Sequence, residues 1–415
     1  LQKSVVLVVD KFSQDVHLAY STAGVKCPVA YNSATKQVEY TSGFFSILAD
    51  LANVHEGVRV FFYRRRIDEP PEMRGFIGEW QATSVPYVDY SSNLVYGTLQ
   101  ILGSCSRCGS PTSSLQEGTP VCSACGDMLP GHILPLRFPF SPVQPYPRYL
   151  DDNTAYIDIT DAVRLSTLIF RKITGAGRER SVNPVLPEEG EKLRRLLTRV
   201  VNSSRHGMVN FPQSMPVPPS GTLITTFLNF QQQYPLHRRG TSLLYDQSSG
   251  ILFYETILEF WLIYTLSSQP QWLVNAFGLS PNEDIEWFSN QILFGIGGEK
   301  SDVLILMRDR KSGLRCRAIV VELKRETVDS HSLAQVKGYS YWIAQLATAQ
   351  IQAQSPFIIT PIAIGRRVAR GVQPFAPFTL TIPYSQPLNV QVDSPRVYTY
   401  TVDPTLNTLI LQRQI

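Results

Sequence analysis

At 415 residues the chain exceeds one ordinary domain, so two or three are expected, and its 43% apolar content is that of a globular protein. A net charge of +4 is too small to argue nucleic-acid binding from the total, so local basic clusters have to carry it. Charged residues are sparse at 17%, the 29 prolines point to many strands and ordered loops, and no apolar run is long enough to cross a membrane.

The first hundred residues read mostly as β. The apolar run in SVVLVVDKF is closed early by Asp10 and Lys11, so it predicts a first strand and not a signal peptide. SGFFSILADLANV has helical apolar spacing, with Ser42 as its expected N-cap. HEGVRVFFYRRR predicts a strand running into a basic edge. MRGFIGEWQATSVPYVDY alternates glycine and aromatic residues, as a curved strand with a kink does.

Cys105, Cys108, Cys122 and Cys125 follow as C-x2-C, thirteen residues, C-x2-C. Each pair forms a knuckle that turns two thiolates toward one ion, and Gly109 and Gly126 directly after the pairs allow the tight backbone. Four thiolates complete a tetrahedral Zn²⁺ and leave no open position, so the expected zinc is structural and holds a hairpin that has almost no apolar core. Two disulfides or an iron–sulfur cluster on the same thiolates are the alternatives. Cys27 and Cys316 lie far apart, a pattern that suits a metal site in a reducing cytoplasm better than a disulfide framework.

After the ribbon, PLRFPFSPVQPYPRYLDD is extended and returns the chain to the N-terminal unit. EEGEKLRRLLTRVVNSSR predicts an amphipathic helix with acids early and bases late, as the helix dipole favours. Three segments, GVRVFFYR, RGFIGEWQATSVPY and Leu165–Leu197 with its R-x-x-x-G-x-G-R-x-R-S stretch, resemble the EVE and PUA-like domains. The resemblance implies a β-rich barrel over residues 1–205, with the zinc ribbon of residues 100–130 inserted, that reads nucleic acid. Some such domains hold a modified base in an aromatic pocket. Phe76, Trp80, Tyr87 and Tyr90 are the candidates here, with burial in the core as the competing reading. Arg64, Arg65, Arg66 and Arg74, with Arg171, Lys172, Arg178 and Arg180, are expected on a phosphate-facing rim or on an ordinary solvated face.

HGMVNFPQSMPVPPSGT, residues 206–222, has four prolines and no period, and is expected to be a semi-rigid linker. Residues 223–415 then form an α/β unit. LITTFLNFQQQYPLHRRG predicts a partial helix. YETILEFWLIYTLSSQ predicts a strongly apolar one, with Glu255 and Glu259 four apart on one face. The chain from Gly298 to Tyr341 reads as strand, turn, strand, loop and helix, with Gly313 near the turn tip. Asp302 starts the first strand, and Glu322 and Lys324 share one face of the second. Charges on a strand face are costly to bury unless paired or bound to a metal, and two carboxylates suit Mg²⁺. An ordinary exposed Glu–Lys pair is the competing reading.

Asp302, the E-L-K of Glu322–Lys324, and Gln335 with Tyr339 as Q-x-x-x-Y follow in the order D…ExK…QxxxY. They resemble the PD-(D/E)xK nuclease superfamily, most closely the branch with RecB-type and NucS-type enzymes, over Ser248–Gly371. The first motif is Ser301–Asp302 where the superfamily often has Pro-Asp. The resemblance implies a restriction-endonuclease-like fold in which Asp302 and Glu322 hold Mg²⁺ or Mn²⁺. Lys324 is then the base or electrostatic stabiliser, and Gln335 and Tyr339 help place the metal site and the DNA. It also implies that the preceding helix lends a Glu, Glu255 or Glu259. Glu299 is a lesser metal candidate, and Arg366, Arg367 and Arg370 are candidate phosphate contacts. Residues 376–415 alternate as strands for an edge sheet or dimer contact.

Together these features predict a cytoplasmic, metal-dependent endonuclease acting on double-stranded DNA and selecting a modified base. Cutting both strands implies a homodimer. A mismatch or branched-DNA repair nuclease, and a non-catalytic binding protein with a relic fold, are the alternatives, and an RNA substrate stays open.

Overall fold

The computed structural model describes residues 2–415 apart from 26–28, 33, 35–36, 66–69, 71–72, 89–104, 106, 111–112, 117–118, 128–133, 135, 159, 161, 171–180, 217–221, 224–243, 295–298, 350–352, 384–386 and 406–407. The N-terminal module contains β1 (Ser4–Val9), α1 (Lys11–Tyr20), β2 (Thr22–Val25), α2 (Ser42–Leu51), β3 (Arg59–Arg64), β4 (Gly75–Ala82), β5 (Leu136–Gln144), β6 (Val182–Val185) and α3 (Pro187–Val200). Its sheet runs β6–β1–β3–β4–β5 and continues through Tyr87–Val88 to Thr222–Leu223, with β2 joined to β5. β1 and β3 are parallel, and the chain crosses between them through α1 and α2.

Strand alternation sends Val5, Leu7, Val60 and Phe62 to the α2 side, where Phe44, Phe45 and Leu48 join them. Val6, Phe61 and Tyr63 face the other side, with Leu193, Leu196 and Leu197 of α3. The kink expected in β4 is present. Gly75 and Gly78 have φ of 117° and 56°, and a Cβ on Gly78 would strike the Trp80 ring.

The C-terminal module contains α4 (Glu255–Ser268), β7 (Glu283–Phe294), β8 (Glu299–Asp309), β9 (Arg315–Leu323), α5 (Ser330–Thr348), β10 (Ala353–Gly365), β11 (Phe378–Ile382), β12 (Leu388–Val392), β13 (Arg396–Asp403) and β14 (Thr408–Arg413). β7, β8 and β9 form an antiparallel meander. α5 then crosses over so that β10 lies parallel to β9, and β12 and β13 pair with β10 in turn. Leu304, Leu306, Ala318 and Val320 face α5 through Tyr339, Ile343 and Ala344. Val303, Ile305, Ile319 and Val321 face α4. β11 to β14 extend the sheet, in line with the alternating pattern of their residues.

Three expectations shift. Thr41, not Ser42, occupies the N-cap position of α2. That helix is buried on more than one face, because it lies between the N-terminal sheet and α4 within one continuous core. The described part of the stretch expected as a spacer, 206–222, is docked on the N-terminal module. The Val209 and Met215 N–H groups donate to the Pro147 and Ala19 carbonyls at 2.9 and 2.6 Å, and Thr222–Leu223 pairs with Tyr87–Val88. Apart from the Glu255–Glu259 edge, α4 is apolar on all sides because both modules cover it.

The modules also meet through charge. Arg315, 1% exposed, donates to Glu286 at 2.8 Å, to the Ala347 carbonyl at 2.9 Å and to Glu188 of α3 at 3.2 Å. Burial pushes the Glu286 carboxyl up, but the Arg315 and Arg308 guanidiniums outweigh it and hold it below the usual range. Arg315→Ala would leave Glu188 without its guanidinium and Glu286 with Arg308 alone. It is expected to cost about 3–5 kcal/mol in urea unfolding, whereas an ordinary surface arginine costs well under 1 kcal/mol.

Candidate functional site: a buried carboxylate cluster beside a lysine

The β8–β9 hairpin builds the site. Its turn closes with Gly313 at φ 68°, and its register pairs Val303 with Val321, so Asp302 falls opposite Glu322. The Asp302 Oδ2 accepts the Leu323 N–H at 2.7 Å. Lys324, just past the strand end, donates its N–H to the Ile364 carbonyl at 2.8 Å, which fixes its backbone against β10. Its Nζ lies 2.5 Å from Glu322 Oε1. Glu255 opens α4, and its carboxylate accepts the Arg325 N–H at 3.2 Å. Glu322 Oε2 and Gln335 Oε1 are buried with no hydrogen-bond partner among the described residues. Tyr339 packs in the core between α5 and the sheet.

Electrostatics mark the cluster. Burial, then the charges of Glu322, Glu255 and Glu259, push the Asp302 carboxyl well above its ordinary value. Burial also raises Glu322, against the opposing pull of Lys324. Burial would lower Lys324, but the hydrogen bond and charge of Glu322, with the charges of Glu255 and Asp302, hold it above its ordinary value, so it is protonated at neutral pH.

The raised Asp302 value has a consequence for stability. The folded state holds a proton that the unfolded chain has released, so stability falls as pH rises from the ordinary aspartate range through the raised value. Asp302→Asn keeps an oxygen to accept the Leu323 N–H and removes the charge. In a metal chelator at pH 8 it is expected to be more stable than the wild type by about 0.5–2 kcal/mol, and the gap should close toward pH 4. Thermal melts across that range decide it; a variant less stable at every pH would contradict the electrostatic account.

The donors fit a hard divalent cation: carboxylate oxygens, one of them buried without a partner. Among the described residues, the four cysteines are the one group of three or more metal-type donors whose ligand atoms all lie within 4.8 Å of one another; Glu255, Asp302 and Glu322 are spread wider. Glu259 is not a free ligand. It is 3% exposed, and its carboxylate accepts from Asn290, Gln291 and Ser46 at 2.5, 2.7 and 3.3 Å. Glu299 lies on β8, with its side chain outside the described set. His331 on the first turn of α5 was not singled out by the sequence, yet its charge favours the ionised form of Glu322.

The second cluster is the ribbon. Cys105 and Cys125 Sγ atoms lie 3.6 Å apart, and those of Cys108 and Cys122 3.5 Å. That is far beyond a disulfide bond of ~2.05 Å and close to the ~3.7 Å edge of a tetrahedron with ~2.3 Å Zn–S bonds. Each knuckle closes the same way: the Gly109 and Gly126 N–H groups donate to the Cys105 and Cys122 carbonyls at 2.8 Å, and both glycines have φ of 72°. The strands Ser113–Gln116 and Thr119–Cys122 form the hairpin.

The expected nucleic-acid contacts fare differently. Phe76 and Trp80 are 0% and 3% exposed and pack inside the N-terminal core, Phe76 tilted against Tyr63 and Trp80 edge-on to Phe62, so in this arrangement neither offers a face to a base. Tyr87 is buried as well. Arg64 is 3% exposed and donates to the Tyr149 hydroxyl at 2.5 Å, so it does not line a rim. A strand of alternating aromatic residues reads alike in a barrel core and in a pocket. Arg366 is half-buried, with Nε 3.3 Å from the Ser249 carbonyl, and Arg367 is exposed. Tyr90, Arg66, Arg171, Lys172, Arg178 and Arg180 lie outside the described residues.

No family model matches the sequence, and no curated protein matches it. Among solved structures, a Pseudomonas putida protein aligns with 47% of this chain and 99% of its own, at 15% identity and a TM-score of 0.26. A hypothetical protein from Leishmania major aligns with 48% of this chain and 96% of its own, at 13% identity and a TM-score of 0.28. Human THYN1, solved in complex with 5-methylcytosine containing DNA, aligns with 47% of this chain and 98% of its own, at 12% identity and a TM-score of 0.25. Scores this low do not define a shared fold.

Proposed function

We propose that the chain is a metal-dependent nuclease acting on DNA. Its C-terminal module hydrolyses the phosphodiester bond, and its N-terminal module selects the substrate. The observation that carries the reading is the placement of Asp302 opposite Glu322, with Lys324 ion-paired beside them and Glu255 brought in by α4. The reading is supported by the D…ExK…QxxxY order of the sequence, whose Asp302, Glu322 and Gln335 lie on β8, β9 and α5.

A divalent cation held by Asp302 and Glu322 would supply an acidified water and neutralise phosphate charge. The chain's own part is to position and to stabilise charge. Lys324, kept protonated by Glu322, is suited to the negative charge that grows on the phosphate oxygens and is not suited to removing a proton. Asp302 is held by the Leu323 N–H and Glu255 by the Arg325 N–H, so the backbone of β9 and its extension orients both acids.

Selection of a modified base rests on the resemblance of residues 57–64, 74–87 and 165–197 to EVE and PUA-like domains, which puts cytosine-modified DNA on the substrate panel. The test is cleavage with Mg²⁺ or Mn²⁺ on unmodified, cytosine-modified, mismatched and branched DNA and on RNA. Metal-dependent cutting of one class identifies both chemistry and substrate. Binding with no cutting of any class would sink the catalytic reading and leave the binding-protein alternative.

A further inference from the structure

The β7–β8 register pairs Asn290 with Val303 and Ile292 with Ser301, so Gln291 falls directly opposite Asp302. Gln291 has φ of 51°, a left-handed conformation that a non-glycine residue holds only when its surroundings impose it. Three bonds impose it here. Its amide donates to Glu259 at 2.7 Å and to Ser46 at 2.9 Å, and its oxygen accepts from Lys300 at 2.6 Å. Glu259 sits one turn after Glu255 on α4 and so fixes the rotation of the helix that presents Glu255. Ser46 belongs to α2 of the N-terminal module and donates to Glu259 at 3.3 Å, and Thr256 donates to the Ser42 carbonyl of the same helix at 2.9 Å.

We propose that Ser46, Gln291 and Glu259 form a positioning bridge by which the N-terminal module sets the geometry of the Asp302–Glu322–Lys324 site, so that this module takes part in the cleavage step and not only in substrate choice. The inference rests on the proposed nuclease function. Asp302 and Glu255 both accept a bond from the β9 side, and each also has a neighbour anchored from outside the hairpin that carries the ExK motif. Gln291 lies across the β7–β8 pair from Asp302, Glu259 follows Glu255 by one helix turn, and one serine of the other module touches both Gln291 and Glu259. Such outer contacts are the kind whose loss weakens metal affinity or turnover by 10–100-fold without removing a ligand.

The experiment measures Mn²⁺ binding by calorimetry and single-turnover DNA cleavage on the full chain. Wild type is compared with Ser46→Ala, Ser46→Thr, Gln291→Ala and Glu322→Ala, with thermal melts alongside. Ser46→Ala and Gln291→Ala are expected to bind Mn²⁺ about 10-fold more weakly or to cut about 10-fold more slowly, with DNA affinity unchanged. Ser46→Thr, which keeps the hydroxyl, should restore both. Wild-type Mn²⁺ affinity and rate in Ser46→Ala and Gln291→Ala would overturn the bridge and leave the nuclease standing. A loss in Ser46→Ala that Ser46→Thr does not repair, or one that merely follows a fall in melting temperature, would also overturn it. Wild type that binds Mn²⁺ no better than Glu322→Ala would instead overturn the nuclease reading itself.

Discussion

Glu322→Ala is expected to leave no measurable metal-dependent cleavage, and Lys324→Ala to slow it by about 10²–10³-fold. The two losses differ in kind. Glu322 is the acid with one oxygen on Lys324 and the other buried and unpaired among the described residues, so its removal would take away half of the proposed cation site. Lys324 is 26% exposed at the side chain and holds its charge against burial, so on the proposed mechanism its removal would leave the cation but strip the positive group that meets the phosphate. Single-turnover rates at saturating Mg²⁺ separate them. Lys324→Ala should lower the rate with little change in DNA affinity, whereas excess metal should not rescue Glu322→Ala. If either variant cuts like the wild type, the cluster is not the catalytic centre.

The local elements around this cluster were legible because each carried its own period or breaker. The strand, Gly313 turn, strand and helix from residue 298 to 341 appear in the structure in that order, and the C-x2-C pairs announce a knuckle from spacing alone. Long-range partners were not legible. Nothing in YETILEFWLIYTLSSQ distinguishes Glu255, which faces the site, from Glu259, which is taken up by Asn290, Gln291 and Ser46. Arg64 is buried where a rim or solvated face was expected, for a related reason, and Trp80 takes the core position that was its alternative. An arginine at a strand end reads as a rim, and only tertiary packing shows that Tyr149 receives it. The proline-rich stretch from 206 was read as a spacer because proline breaks periodicity, although an extended segment can dock on a module as readily as leave it.

Cys122→Ser is expected to reduce bound zinc from one per chain to none, by native mass spectrometry or metal analysis. Cys122 is 1% exposed, and its Sγ lies 3.5 Å from that of Cys108, so no other described donor can take its place. A structural zinc contributes on the order of 10 kcal/mol to the unit that binds it. Among its described residues the ribbon's buried cluster consists of Cys105 and Cys122 with Cys125 against them, and the Arg107–Asp127 pair at 2.9 Å joins the two knuckles at the surface. Amide exchange across Ser113–Cys122 should therefore rise to that of an unfolded peptide in the variant or in a strong chelator. Full zinc occupancy in Cys122→Ser would mean that the thiols do not act as one site.

The position of the ribbon bears on how the chain folds. It lies between Tyr87–Val88 and β5, which pair antiparallel with Val88 against Leu136, so the whole insert sits in a hairpin connection of roughly 50 residues. Tying Cys105 to Cys125 through a metal shortens the effective connection to roughly 30 residues, which eases closure of that strand pair by only about 0.5 kcal/mol. Such a saving changes a closure rate about twofold. Assembly of the N-terminal sheet is therefore nearly indifferent to whether zinc arrives early or late, and the ribbon can mature on a scaffold that has already formed.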